Sequence, residues 1–294
     1  MAIPQLGGDG WRPLFTPSET GSYVNDHCVV RGGDGRWHVF GITKETPGVG
    51  PHRERWFCHG SGPSLVEGQL RERGRVCDFG HRAWAPTIAF DGERWIMLYG
   101  PDLLRAAWSD DPRLEDWHEV PCTFSGGPVG GVLRDQMVFR LDDDSWLMYA
   151  TGKRGRLGGV SVSVSENLLD WRFVRFALQT TESAGKQPPW AATESPFVFE
   201  RDGDFWLSVT YSASGQGPED YHDTLLFRSK NAFDFGTYTG DPGEPAARLA
   251  AHAPEYVRDP ESGKWYVTSA GWPGEAFGTV IPGSVAIREL DWIE

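Results

Sequence analysis

Three acidic residues stand at matching points of a repeated pattern, and their types suit bond cleavage by proton transfer. Asp26 lies eleven residues before Trp37, Asp135 eleven before Trp146, and Glu194 twelve before Trp206. The extra residue in the last case is assigned to the longer turn Glu200-Arg201-Asp202-Gly203-Asp204. Two further repeats offer Trp84 or Ala85, and Ala253 or Pro254, at the same point. With 41 acids in 294 residues, three acids at five such positions arise by chance on the order of 2 % of the time. Carboxylates that face one another repel, so grouping three is costly without a use. The plainer alternative is that each acid caps a strand or pairs with a neighbour such as Arg134. Cleaving a glycosidic bond would give the group a use. One carboxyl must be protonated to serve the leaving oxygen, and a second must be ionised to attack the anomeric carbon or activate water. A third acid can raise the donor's pKa and orient it.

The elements that must position these acids show as an internal repeat. Five segments share a short apolar strand, a turn rich in acids or Gly, and a Trp that opens a second strand. Those Trp residues are Trp37, Trp95, Trp146, Trp206 and Trp265, with gaps of 58, 51, 60 and 59 residues. Asp-Gly and Ser-Gly turns read as hairpins. Third strands follow in LLRAAWSD, GGVSVSVSE and DTLLFRSK, and the tails 114–120 and 168–174 lead into outer strands. Four strands in 50–60 residues are the dimensions of a propeller blade. The expected fold is all-β: one five-bladed β-propeller over 1–294, with four-stranded antiparallel blades around a central channel. The blades fall roughly at 22–62, 84–121, 133–178, 193–240 and 252–292, and the segment 11–15 is placed to close the ring. Residues 179–192 are the best candidate for a long loop.

The 37 Gly and 21 Pro fit many turns. A net charge of −13 argues against nucleic acid and anionic membrane as partners. No apolar run approaches the ~20 residues needed to cross a bilayer. The first residues lack a basic-then-apolar leader, which gives a cytoplasmic expectation. Cys28, Cys58, Cys77 and Cys122 form no C-x-x-C pair, so four reduced thiols are expected rather than a zinc site or disulfides. GGDGRW and GKRGRLGG do not open helices after strands, so nucleotide phosphate loops are not expected, and no G-x-S-x-G elbow occurs. The sequence carries no signature of a particular oligomeric state.

The ordered motifs resemble the five-bladed propeller glycosidases around glycoside hydrolase family 43, with the invertase and levansucrase families as relatives. The resemblance covers essentially residues 20–292. Asn25-Asp26 resembles the Asn-Asp motif of the first blade, Arg134-Asp135 the Arg-Asp motif of the third, and Glu194-Ser195-Pro196 the acid-bearing motif of the fourth. Ser165-Glu166-Asn167-Leu168 with Trp171 resembles the outer-strand signature. The resemblance implies a glycosidase acting on a small glycan or glycoside, with a furanosyl preference. It makes Asp26 the general base or nucleophile, Glu194 the general acid, and Asp135 the carboxylate that tunes Glu194 and binds sugar hydroxyls. It also sets His252 beside a central calcium or sodium ion, although the acid chemistry itself requires no cofactor. Two departures stand out: His27 and Gln136 occupy positions where the family motifs carry proline.

Other candidates surround the proposed pit. Trp84 could stack on a sugar face; a core tryptophan is the competing reading, and Trp56, Trp190 and Trp272 are weaker candidates of the same kind. His81 and Arg82 could donate hydrogen bonds or be solvated loop residues. Arg134 could serve substrate or a structural ion pair. His27 lies beside Asp26, and Glu255 could add a fourth acid or point away. Three functions stay open: a glycoside hydrolase; a lyase, transferase or cyclase in the same pit, motivated by His27 and Gln136; and a non-catalytic sugar-binding propeller. Retention or inversion depends on the carboxyl separation, roughly 5–5.5 Å or 6.5–9.5 Å.

Overall fold

The computed structural model describes residues 2–19, 21–44, 54–101, 103–127, 133–141, 145–155, 157–184, 193–212, 223–272 and 279–294. Two short strands come first, β1 (Ile3–Leu6) and β2 (Arg12–Phe15). The first blade is β3 (Asn25–Arg31), β4 (Trp37–Ile42), β5 (Phe57–Gly62) and β6 (Arg71–Val76), paired in that order. The second is β7 (Trp84–Phe90), β8 (Trp95–Gly100), β9 (Arg105–Ser109) and β10 (His118–Val120). A short β11 (Thr123–Ser125) precedes the third blade of β12 (Arg134–Arg140), β13 (Trp146–Arg154), β14 (Leu157–Ser165) and β15 (Asp170–Thr180), and pairs parallel to β15. The fourth blade is β16 (Thr193–Arg201), β17 (Asp204–Tyr211), β18 (Asp223–Ser229) and β20 (Ala247–Leu249), while β19 (Thr237–Tyr238) crosses to pair with β15. The last contains β21 (Tyr256–Arg258), β22 (Trp265–Ser269) and β23 (Val285–Ile293). Both N-terminal strands pair antiparallel with β23, so the two ends of the chain meet in one blade and close the ring.

The core is five interfaces between blades, and the middle strands explain why. Their residues are apolar on both faces because each blade is sandwiched between two others. In β8, Met97 and Tyr99 pack towards the first blade while Ile96 and Leu98 pack towards the third. In β13, Trp146 and Met148 face the second blade, and Leu147 and Tyr149 face the fourth. Leu14 and Phe15 of β2 join Val39, Val257 and Ile287 between the last and first blades. Gly60 of β5 is required there, since a Cβ would collide with the Phe15 ring.

Trp37, Trp95, Trp146 and Trp265 pair with Arg31, Phe90, Arg140 and Arg258 at the ends of the first strands, whereas Trp206 pairs with Phe199, two residues before the end of β16, and packs towards the last blade. Arg31 and Arg140 place their guanidinium groups 5.9 and 5.4 Å from the facing rings. The matching tails also fold alike. Leu114 and Leu168 take positive φ of 57° and 64°, and each carbonyl accepts the indole N–H of the following Trp117 or Trp171 at 2.9 and 2.8 Å. Among the described residues only Glu182–Ala184 is helical, as a 3-10 turn within the expected loop, and 185–192 lie outside the described residues. No helix is long and apolar enough to cross a membrane. Cys28, Cys58 and Cys77 are buried free thiols, and Cys122 is half-buried.

Between the first two blades lie the buried His38 and His59, 2.8 Å apart, with the exposed-turn Asp34 3.1 Å from His38. Burial, reinforced by His38, pushes the His59 pKa down to about 3. A His depressed in the folded state gives stability that is complete above its unfolded pKa near 6.5 and lost as pH falls from there towards 3. Thermal unfolding of wild type and His59→Gln across pH 7.5 to 4 checks this. The wild-type midpoint should fall relative to that of the variant; parallel curves would refute the account.

Candidate active site

In four of the five blades the first strand opens on a bulge. The ladder shifts register between Asn25 and His27, Trp84 and Thr87, Arg134 and Met137, and Glu194 and Phe197. The residue inside each bulge has positive φ: Asp26 (28°), Ala85 (47°), Asp135 (56°) and Ser195 (47°), with Ala253 (43°) matching them in the last blade. For residues other than glycine this conformation costs on the order of 1–3 kcal/mol and persists only where the surroundings enforce it.

These five residues are the true equivalents, which corrects the phase expected for Glu194. In the fourth blade the facing partner of the repeat Trp, Phe199, comes four residues after the bulge. In the other blades Arg31, Phe90, Arg140 and Arg258 come five residues after it. The turn to Trp206 is one residue longer than those to Trp37 and Trp146 and the strand one residue shorter, so Ser195, not Glu194, stands eleven residues before its Trp. Ser195 is the counterpart of Asp26 and Asp135, and Glu194 belongs one layer earlier with Asn25, Trp84, Arg134 and His252.

The three acids nevertheless meet, because Arg134 spans the two layers. Its guanidinium lies 3.2 Å from Asp135 Oδ2 and donates to Glu194 Oε2 at 2.8 Å. Asp135 also accepts from the Thr151 hydroxyl at 2.8 Å and the Ser195 N–H at 3.3 Å. Ser195 Oγ donates to Asp26 Oδ1 at 3.0 Å. His252 Nε2 stands 3.7 Å from Glu194 Oε1. Asp135 and Glu194 are buried, and Asp26 is partly exposed.

Burial, then Asp135, then Glu194 push the Asp26 carboxyl well above the usual carboxylate range. Burial also raises Asp135, with Glu194 adding to it and Arg134 opposing. Burial pushes Glu194 up as well, but Arg134 and His252 together outweigh it and hold Glu194 below its ordinary value. The protein's own groups thus favour a proton on Asp26 and charge on Glu194. That is the reverse of the distribution implied for a general base and a general acid at these positions.

The remaining candidates divide. His27 is buried, with Nε2 2.7 Å from Thr268 Oγ1, and its pKa is pushed to about 3 by burial and by His252. Gln136 donates to the Leu133 carbonyl and is also buried. Both line a cavity of about 30 Å³, together with Asp26, Asp135 and Glu255. Glu255 is half-buried and is raised well above the carboxylate range by burial and by Asp26, against a hydrogen bond from the Val29 backbone. It is a fourth acid in the field of Asp26. Trp84 is half-buried with Arg82 5.3 Å over its ring. His81 is not a site residue: it pairs at 3.2 Å with Glu119, which belongs to the outer strand β10. Trp56 is buried with Arg75 over its ring, Trp272 stacks on Tyr23 at 5.4 Å, and Trp190 lies outside the described residues. No group of three or more His, Cys, Asp or Glu spaced to hold a metal occurs among the described residues. His252 faces Glu194 beside the Arg134 cation.

Residues that the sequence left unmarked include Ser195, Thr151 and the pair Tyr23–Glu54. Thr151 faces Arg134 across the β12–β13 ladder, a signal readable once the hairpin register is known. Glu54 is buried, accepts the Tyr23 hydroxyl and is pushed up to about 7 by burial, with Lys44 and Arg82 opposing. The sequence around it has no periodic pattern.

No protein-family profile matches the chain, and no curated protein matches it in sequence. Solved structures do match in fold. The catalytic domain of the GH62 α-L-arabinofuranosidase of Coprinopsis cinerea aligns with a TM-score of 0.65 and 16 % identity over 95 % of both chains. A GH43_1 enzyme of Xanthomonas citri complexed with xylotriose aligns at 0.62 and 14 %, over 97 % of this chain and 90 % of that one. A GH43 protein of Bacillus licheniformis aligns at 0.62 and 15 % over 99 % of this chain, which spans only 55 % of that protein's length. The chain therefore has the five-bladed propeller fold of family 43 and 62 glycosidases.

Replacing Arg134 with Met leaves Asp135 and Glu194 without their shared cation. Denaturant unfolding should show a loss of about 3 kcal/mol at pH 7, shrinking at pH 4 as the acids protonate. A loss equal at both pH values would contradict this reading.

Proposed function

We propose that the chain is a glycoside hydrolase that cleaves a small glycan or glycoside at the Asp26–Asp135–Glu194 cluster. The observation that carries the proposal is the cluster itself, three mutually interacting carboxylates at the strand openings of a glycosidase-type propeller, two of them bridged by the Arg134 guanidinium and the third held by Ser195. Glycoside cleavage needs one protonated and one ionised carboxyl, and these surroundings push Asp26 and Glu194 in opposite directions. Asn25 Oδ1, buried in the layer of Glu194 without a hydrogen-bond partner, is an acceptor that a sugar hydroxyl would satisfy. Structural neighbours include α-L-arabinofuranosidases, an exo-1,5-α-L-arabinanase and a xylotriose complex. They support a furanosyl or pentose-containing substrate as the first to test.

By position Glu194 is the general acid, Asp26 the base or nucleophile, and Asp135 the acid that tunes Glu194. Glu194 can take a proton when Arg134 or His252 turns its hydrogen bonds to substrate, because burial already pushes it upward. The proton distribution favours a second reading, with Asp26 as donor and Glu194 as base. A non-hydrolytic reaction keeps the support of His27 and Gln136, which line the cavity with Nδ1 and Oε1 unpartnered among the described residues while their other polar atoms meet Thr268 and Leu133.

Leaving-group dependence separates the readings. Glu194→Gln should slow substrates with poor leaving groups by about 10²–10⁴-fold and largely spare activated aryl α-L-arabinofuranosides, while Asp26→Asn slows both. The opposite pattern would exchange the roles. Full activity in both variants would end the hydrolase assignment.

A further inference from the structure

We infer that Ser195 is the positioning residue that fixes Asp26 relative to Asp135, so that the two aspartates form one unit across the channel. The inference rests on the hydrolase reading for its consequence, but its geometry is independent of it. Ser195 makes two bonds in two directions: its hydroxyl reaches Asp26 Oδ1 at 3.0 Å and its N–H reaches Asp135 Oδ2 at 3.3 Å. Among the described residues the Ser195 hydroxyl is the one hydrogen-bond donor to the Asp26 carboxylate, whereas Asp135 also has Thr151 and Arg134. The first aspartate therefore depends on Ser195 for its orientation, and the second does not.

The backbone shows why one residue can do both. Ser195 is the bulged residue of its blade, with φ 47°, in the same ring as Asp26 and Asp135. Pro196 follows it and narrows its freedom further. The bulge lifts its N–H out of the ladder to Asp135 while the side chain crosses to the first blade. The other two members of the ring are Ala85 and Ala253; the Ala253 N–H donates to Thr210 Oγ1 of the fourth blade at 2.9 Å, but neither alanine has a hydroxyl to reach a second partner. They also show that alanine is accepted in this conformation, so Ser195→Ala removes the hydroxyl from a backbone that tolerates it. Ser195→Gly removes the hydroxyl and relieves the backbone strain together.

The test is carbon-13 NMR titration of the aspartate side-chain carboxyls in the full chain, with circular dichroism confirming the fold of each variant. Losing a donor to the charged form should raise the Asp26 pKa by up to about one pH unit in both variants, with Asp135 moving less. With an aryl glycoside substrate, the acidic limb of the kcat/KM profile should move in the same direction, and kcat should fall with little change in KM. An unchanged Asp26 titration in folded Ser195→Ala would overturn the inference, whatever the activity. A wild type without glycosidase activity would instead defeat the hydrolase reading and leave the titration result standing on its own.

Discussion

Repulsion among carboxylates gathered at the strand openings is the constraint on which the rest of this structure depends. Asp26, Asp135 and Glu194 lie in one another's field, and Glu255 adds to that of Asp26. Within the cluster Arg134 is the cation that touches two of the acids, and it lowers Glu194 while Asp26 keeps its tendency to hold a proton. The result is an uneven sharing of charge among side chains of nearly the same chemistry. Such unevenness is what acid–base cleavage requires, and position in the ring creates it rather than residue type.

Holding the cluster together takes strain, and the fold is built to bear it. Five strand openings adopt positive φ at residues other than glycine, each of them an unfavourable local choice. They persist because the strands continue into middle strands buried on both faces, with a separate hydrophobic cluster between every neighbouring pair of blades. Pairing of β1 and β2 with β23 completes the circle, so no blade can relax outward alone.

Much of this was legible in the sequence. The Trp repeat reported the hairpins because a Trp opens the second strand of each blade, although Trp206 stands one register position from the rest. The alternating and continuous apolar strands reported blades packed on both sides. The three acids were found by counting from those Trp residues, yet the counting misplaced Glu194 by one layer. A bulge interrupts the period of two, and nothing in the letters shows whether a strand or its turn absorbs an extra residue. Ser195 escaped notice for the same reason, since its importance lies in its being the bulged residue. His81 looked near the pit in sequence, but its loop delivers it to Glu119 at the outer edge. Glu54 had no pattern to announce it, because its burial is set by tertiary packing outside any strand.

The most direct test of the central claim is proton NMR of the full chain incubated with a short arabino- or xylo-oligosaccharide. The account predicts new anomeric signals from released sugar, growing with time and absent when Asp26 and Glu194 are both replaced by their amides. Binding of the oligosaccharides without any new anomeric signal, or equal product from the double variant, would contradict it.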